Sequence, residues 1–235
     1  MKSIGLIGGT SWHSTVAYYR LINQQVNDAV GARVNPPLIL INLNQEQIHA
    51  WQRAGQWAQI AAYYEEAFSR AASAGAEQMV MCANTAHAIY DLLDERWQSK
   101  VIHMGTCIAH RIKALGGTCA GLIGTIFTME QDYISRWIRD ENVEVLVPEQ
   151  EERNELHHLI QNELAAGQFT EQNKRKLIAN MDILKRRGAD CMILACTEFP
   201  LLIKPDEYSL PLLNTTEVHA QAAVQVILSK TESDL

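Results

Sequence analysis

Several things are missing from this chain, and each absence removes a class of function. No apolar run approaches the roughly 18 residues that a membrane-spanning helix needs. The net charge is -7, with Lys and Arg interspersed among Asp and Glu, so there is no basic stripe for nucleic acid and no polybasic segment for a membrane surface. Five cysteines (Cys82, Cys107, Cys119, Cys191 and Cys196) form no disulfide framework, being odd in number and irregularly spaced. No pair has C-x-x-C spacing. Cys191 and Cys196 lie an odd number of residues apart on one predicted strand and so face opposite sides, which argues against a zinc site. Gly8-Gly9 is not part of a G-x-G-x-x-G fingerprint, so no dinucleotide site is read there. Met1-Lys2-Ser3-Ile4-Gly5-Leu6-Ile7-Gly8-Gly9 reads as a strand running into a turn. It lacks the long apolar region and cleavage site of a signal peptide, and a cytoplasmic location is expected.

What is present is an ordinary globular balance, 47% hydrophobic and 20% charged, over 235 residues. That length suffices for one large domain or two small ones. Ser3 to Ile7, Pro37 to Ile41, Gln78 to Cys82, Lys100 to His103, Ala120 to Gly124, Val143 to Val147, Asp190 to Cys196 and Leu210 to Leu213 read as strands. Amphipathic stretches such as Ser14 to Ala29, Trp57 to Ala74 and Asn173 to Arg187 lie between them. Alternation of this kind predicts α/β architecture with mainly parallel sheets and helices on both faces, a three-layer αβα arrangement. The near-continuous apolar run from Cys191 to Ala195 fits a strand buried on both faces.

The chain also repeats itself. Ile4-Gly5-Leu6-Ile7-Gly8-Gly9 echoes Ala120-Gly121-Leu122-Ile123-Gly124-Thr125, and Ala74-Gly75-Ala76-Glu77 echoes Arg187-Gly188-Ala189-Asp190 at nearly the same offset. Two pseudo-symmetric lobes follow, 1–98 plus 214–235 and 99–213. A helix from Thr216 to Ser229 is expected to pack back on the first lobe and make it discontinuous. A ligand is expected between the lobes, at the carboxyl ends of the strands.

Anchored on the second echo, Cys82 falls on Ala195, Ala83 on Cys196, Asn84 on Thr197 and Thr85 on Glu198. Helices are expected to start here, with Asn84 and Thr85 as cap types and Pro200 in a first turn. Free N–H groups and a helix dipole suit a carboxylate ligand and would lower the pKa of Cys196. Cys82, one residue before Ala83, points to the other face of its strand and reads as core.

Gly8-Gly9-Thr10-Ser11-Trp12, Asn84-Thr85-Ala86-His87, Gly124-Thr125-Ile126-Phe127-Thr128-Met129-Glu130 and Cys196-Thr197-Glu198-Phe199-Pro200-Leu201-Leu202 resemble the signature segments of aspartate/glutamate racemases, in order and in spacing, across essentially the whole chain. The resemblance implies amino-acid racemisation without pyridoxal phosphate or any other cofactor, by two cysteines acting from opposite faces of a planar intermediate. Cys196 matches the second cysteine. The first should stand at Ala83, and its absence leaves the opposite-face acid/base open, with water or Thr85 as substitutes. The resemblance further implies a cradle for the α-carboxylate at Gly9, Thr10, Asn84, Thr85, Thr125, Thr128 and Thr197, and a homodimer. Gln52 and Arg53 are candidates for a substrate carboxylate, since a guanidinium binds one in two-pronged fashion. Glu198 is a candidate to orient Thr197 or the substrate ammonium. His13 and His87 are weaker candidates, and His157-His158 reads as part of a solvated helix.

Three functions are compatible with this pattern. The first is a racemase or epimerase for an acidic or broader amino acid. The second is a single-cysteine decarboxylase resembling the arylmalonate type, which needs a proton donor on one face only. The third is a non-catalytic binder of an amino acid or small dicarboxylate.

Overall fold

The structure is a computed structural model that describes residues 1–229. The end of the first-lobe segment 214–235 therefore lies partly outside the described residues. The chain divides into two compact units, Met1–His103 with the residues from His219 onward, and Met104–Val218. Both crossings fall five residues later than the repeat suggests. The reason at the first crossing is backbone pairing. Met79 N–H donates to Lys100 O and Ile102 N–H to Met79 O, so residues 100–102 belong to the first sheet. Only Val101 forms a formal bridge, with Met79, and the predicted strand over Lys100 to His103 shortens to that contact. At the second crossing the Thr215 hydroxyl donates to Leu194 O, which ties the start of the last helix, Thr215–Leu228, to the second unit.

In the first unit, β1 (Ile4–Gly8) is flanked by β2 (Leu38–Asn42) and β3 (Gln78–Met81), all parallel. In the second, β4 (Cys119–Gly124) lies between β5 (Glu144–Leu146) and β6 (Cys191–Ala195), and β7 (Leu212–Asn214) extends the sheet beyond β6, again in parallel. Every residue of β1, β4 and β6 is buried, as strands covered on both faces require. Ile7, Met79 and Met81 share one face and join a core with Tyr64 and Phe68 of helix Trp57–Ser73. Ile123, Met192 and Leu194 join Leu177, Met181 and Leu184 of helix Glu171–Arg186.

The repeat extends to packing detail. A Cβ on Gly5 would sit 2.7 Å from Met79 Sδ and 3.0 Å from Ala71 Cβ; one on Gly121 would sit 2.6 Å from Met192 Sδ and 3.0 Å from Leu184 Cδ1. Each glycine lets a helix lie against its sheet. Both helices end on a left-handed glycine, Gly75 at φ 101° and Gly188 at φ 108°, the backbone state that glycine adopts without steric cost. The acid that follows closes the entry to the central strand in each lobe. Glu77 accepts from Ser3 N–H at 3.1 Å, and Asp190 from Thr118 and Cys119 N–H at 2.6 and 3.1 Å.

Candidate functional site

The two repeated strand ends expose different chemistry. After β6, Cys196 is buried, whereas Thr197 and Glu198 are partly exposed. The Cys196 thiol donates to Glu198 Oε2 at 2.8 Å, and the Thr197 hydroxyl donates to the same oxygen at 2.9 Å. The thiol pKa is pushed well above its ordinary value, first by burial and then by the Glu198 charge and hydrogen bond; the N–H groups of Glu198 and Thr197 pull the other way and lose. This overturns the expectation of a lowered pKa. The helix that follows, Phe199–Leu202, is a single turn, too short for its dipole to outweigh burial of the thiol and the adjacent carboxylate. Pro200 does stand in that first turn, and Glu198 rather than Thr197 is the cap residue.

After β3, Ala83 is extended (φ -156°, ψ 141°) and half-buried. Asn84 and Thr85 are not caps. They open a 3-10 helix, Asn84–Leu92, whose cap residue is Ala83. Cys82 is 1% exposed, and burial raises its pKa. Its carbonyl accepts from the Ser14 hydroxyl at 2.7 Å. It is a core residue facing away from the Ala83 side, as strand alternation requires.

The other two strand ends supply threonines. Gly9 has φ 93°, and a Cβ there would strike Leu43 O at 2.1 Å, so only glycine fits. Its N–H donates to Thr15 Oγ1 at 3.0 Å, which removes it from the set of free donors expected for a ligand. Thr10 Oγ1 lies 2.6 Å from the hydroxyl of Tyr64, a residue with no exposed surface. In the second unit, Thr125 Oγ1 is 3.2 Å from Thr128 Oγ1, which is 2.9 Å from the Tyr133 hydroxyl. His157 Nδ1 faces the Ile126 N–H at a long 3.5 Å. It is half-buried rather than solvated, and its helix widens into a π-helical stretch at Leu159–Leu164.

Arg53 is not brought to a strand end by any contact. It closes the helix Gln45–Arg53 and pairs with Glu46 at 2.8 Å with both side chains largely exposed. Gln52 precedes it on the same turn and is partly buried. His13 is exposed and stacks on Trp12 at 3.7 Å between ring centroids. His87 is 1% exposed, lies edge-on to His103 and His219, and has its pKa lowered, by burial foremost. The sequence reading did not find Tyr64, Tyr133 or the thiol–carboxylate pair. The tyrosines carry no local signal, since the threonine partner of Tyr64 lies elsewhere in the chain and neither tyrosine belongs to a motif; the Cys-x-Glu spacing was visible but not its contact.

Among the described residues no group of three or more His, Cys, Asp or Glu side chains is placed to hold a metal ion, and no helix is long and apolar enough to cross a membrane. The family model for Asp/Glu/Hydantoin racemase matches residues 7–223. A candidate Asp/Glu racemase from Yersinia pestis is 34% identical, with a TM-score of 0.92 over 97% of this chain and 100% of that one. An aspartate racemase homologue from Pyrococcus horikoshii OT3 is 28% identical, with a TM-score of 0.87 over the same shares. Arylmalonate decarboxylase shares the fold at 13% identity, with a TM-score of 0.50 over 97% of this chain and 94% of that one. Parallel sheets, repeated glycine-terminated helices, the Cys196-Thr197-Glu198 strand end and the match over nearly all of the sequence agree: the chain belongs to the Asp/Glu/Hydantoin racemase family.

Proposed function

We propose that the chain is a cofactor-independent amino-acid racemase or epimerase that works with a single thiol. The observation that carries this reading is the 2.8 Å hydrogen bond from Cys196 to Glu198 at a half-exposed strand end. A protonated thiol beside a carboxylate is a ready acid/base pair. Glu198 takes the thiol proton, and the thiolate removes the α-proton of a bound amino acid. The C–H electron pair then delocalises into the α-carboxylate as an enediolate, which the Thr125 hydroxyl at the end of β4 stabilises. Return of the proton from Cys196 restores the starting enantiomer, and protonation on the other face inverts it. Ala83 brings no ionisable group to that step, so water supplies the proton, and the hydroxide left takes up the proton held by Glu198, which restores the carboxylate and the neutral thiol. The acidic side chain in the names of the relatives makes aspartate and glutamate the first substrates to test.

The test is isotope exchange. In deuterated buffer, proton NMR should show the α-hydrogen of one enantiomer washing out faster than chiral chromatography shows inversion. No exchange with any proteinogenic amino acid overturns the reading. A second reading has one observation in its favour. A thiol that rests protonated on one side suits delivery of a proton to an enediolate left by decarboxylation, on a fold shared with arylmalonate decarboxylase. Carbon dioxide release from a disubstituted malonate, without amino-acid exchange, would select it. Binding of a small dicarboxylate with neither reaction would select a non-catalytic binder.

A further inference from the structure

We infer that the end of β6 holds the α-ammonium group of the ligand, with Glu198 and Thr197 as its acceptors, so that the site selects amino acids over 2-hydroxy acids. This deepens the proposed reading and rests on it. All the residues concerned belong to the second unit. One hydrogen bond here has a direction that chemistry fixes. A carboxylate only accepts, so the Thr197 hydroxyl, 2.9 Å from Glu198 Oε2, spends its one proton on that oxygen. This takes the Thr197 side chain out of the carboxylate cradle that the resemblance implies. What Thr197 Oγ1 still presents is its lone pairs, and these accept. The Cys196 thiol donates to the same Oε2 at 2.8 Å. Oε1 takes no hydrogen bond among the described residues, and no lysine or arginine among them pairs with Glu198. Thr197 and Glu198 are both partly exposed.

A strand end with a carboxylate, unused acceptors and no cation is matched by a cationic donor. A ligand carboxylate placed there would meet a like charge, and the single turn Phe199–Leu202 offers too little dipole to overcome it. An ammonium group brings three N–H donors and the opposite charge. Covalent geometry delivers it to this place. In an amino acid the nitrogen sits about 1.5 Å from the α-carbon, the carbon whose hydrogen the Cys196 thiolate removes. With that carbon about 3–3.5 Å from Sγ, the nitrogen comes within reach of the oxygens beside the thiol. Oε2 takes the thiol proton during the reaction, and Oε1 keeps its lone pairs for the ammonium throughout. The ammonium also compensates the Glu198 charge, one of the causes that hold the thiol protonated, so a bound amino acid favours the thiolate that deprotonates it.

The probes are L-aspartate and L-malate, titrated calorimetrically; they share both carboxylates and differ in an ammonium against a hydroxyl. Wild-type protein should bind L-aspartate about 10- to 100-fold more tightly, the worth of a hydrogen bond to a charged group. Thr197→Val removes the acceptor at similar volume and should narrow that ratio about fivefold. Thr197→Ser keeps the hydroxyl and should retain the ratio. If Thr197 donated to a ligand carboxylate, or only held the fold, Thr197→Val would weaken both ligands alike, and that outcome overturns the inference. Equal binding of the two ligands by wild type also overturns it, and requires no variant to fold. Isotope exchange run in parallel separates this from the reading beneath it. Exchange together with equal binding of the pair sinks the inference alone. Where an amino acid other than aspartate exchanges, the same comparison is made with that amino acid and its 2-hydroxy acid. If wild type neither binds nor exchanges any amino acid, the functional reading fails and the inference with it.

Discussion

The end of β3 and the end of β6 are built on the same frame and carry different chemistry. Each strand leaves a glycine-capped helix, each presses a methionine sulfur over a glycine of the central strand, and each turns into a short helical segment. Yet one end presents a thiol held to a carboxylate and the other a methyl group at Ala83. The difference teaches that the frame and the side chains it presents are separable. What packs the lobes, namely Gly5 with Met79 and Gly121 with Met192, lies two turns of the strand pleat below the reacting position and does not depend on it. A pseudo-symmetric scaffold therefore carries a thiol–carboxylate pair at one of its two repeated strand ends, at Cys196 and Glu198.

The largest expected effect comes from erasing that difference. Cys196→Ala makes both strand ends methyl-bearing and should abolish α-proton exchange, a loss of about 10³-fold or more, in the range typical for removing an acid/base. Glu198→Gln leaves the thiol but removes its proton acceptor; exchange should fall about 10²-fold. The midpoint of thiol alkylation should move to lower pH, because one of the causes raising the Cys196 pKa has gone. The converse, Ala83→Cys, gives both ends a thiol and should raise inversion toward the rate of exchange. Equal exchange in Cys196→Ala and wild type would break the comparison.

Most of this frame was legible in the sequence, and the chemistry only in part. Strand positions follow from apolar runs, and the equivalence of Ala83 and Cys196 follows from the Gly-Ala-acid anchor, because glycine at a left-handed helix end is a local requirement that any reader of the chain can see. The protonation of Cys196 was not legible. It depends on whether burial and Glu198 outweigh two backbone N–H groups, a balance of distances. Arg53 reads as a carboxylate ligand by type, and in the structure it pairs with Glu46, two helical turns before it, both side chains largely exposed. The crossing at His103 was misplaced because residues 100–102 pair with Met79 from across the first lobe, a contact that no local pattern announces.

The lobes should also part company in acid. In the first, His219 is fully buried, accepting from the Tyr18 hydroxyl at 2.8 Å and donating to Ile102 O at 2.7 Å. That places the proton on Nε2 and leaves the ring neutral. Burial lowers its pKa from 6.5 to about 4, against a smaller opposing pull from Ile102. Since the folded value is depressed, the unfolded chain takes up the proton first. Stability contributed by the neutral ring is complete above pH 6.5 and drains away as pH falls from 6.5 toward 4. At most the loss is about 3 kcal/mol. His87, packed edge-on between His219 and His103, adds to it in the same direction. Among the described residues of the second unit, His110 and His158 are exposed and His157 is half-buried. Amide exchange followed by mass spectrometry between pH 7 and 4 should show the first lobe losing protection first. Earlier loss in the second lobe would contradict this.

The smallest effect tests whether the two frames are equal. Alanine at Gly5 would place Cβ 3.0 Å from Ala71 Cβ and 3.3 Å from Ala76 Cβ, both anchored to backbone. Alanine at Gly121 meets Leu184 Cδ1 at 3.0 Å and Leu184 Cβ at 3.2 Å, and the first of these can rotate away. In both lobes the nearest atom is a methionine Sδ, which a flexible side chain can withdraw. Overpacking costs about 1–3 kcal/mol, and the reduced freedom of the unfolded chain returns up to about 1 kcal/mol of that. Both substitutions should therefore destabilise, with Gly5→Ala the costlier by about 1 kcal/mol, read as a larger drop in the urea midpoint at unchanged m-value. If Gly121→Ala were neutral while Gly5→Ala unfolded the first lobe, the methionine-over-glycine contact would be a structural necessity in one lobe and an inherited resemblance in the other.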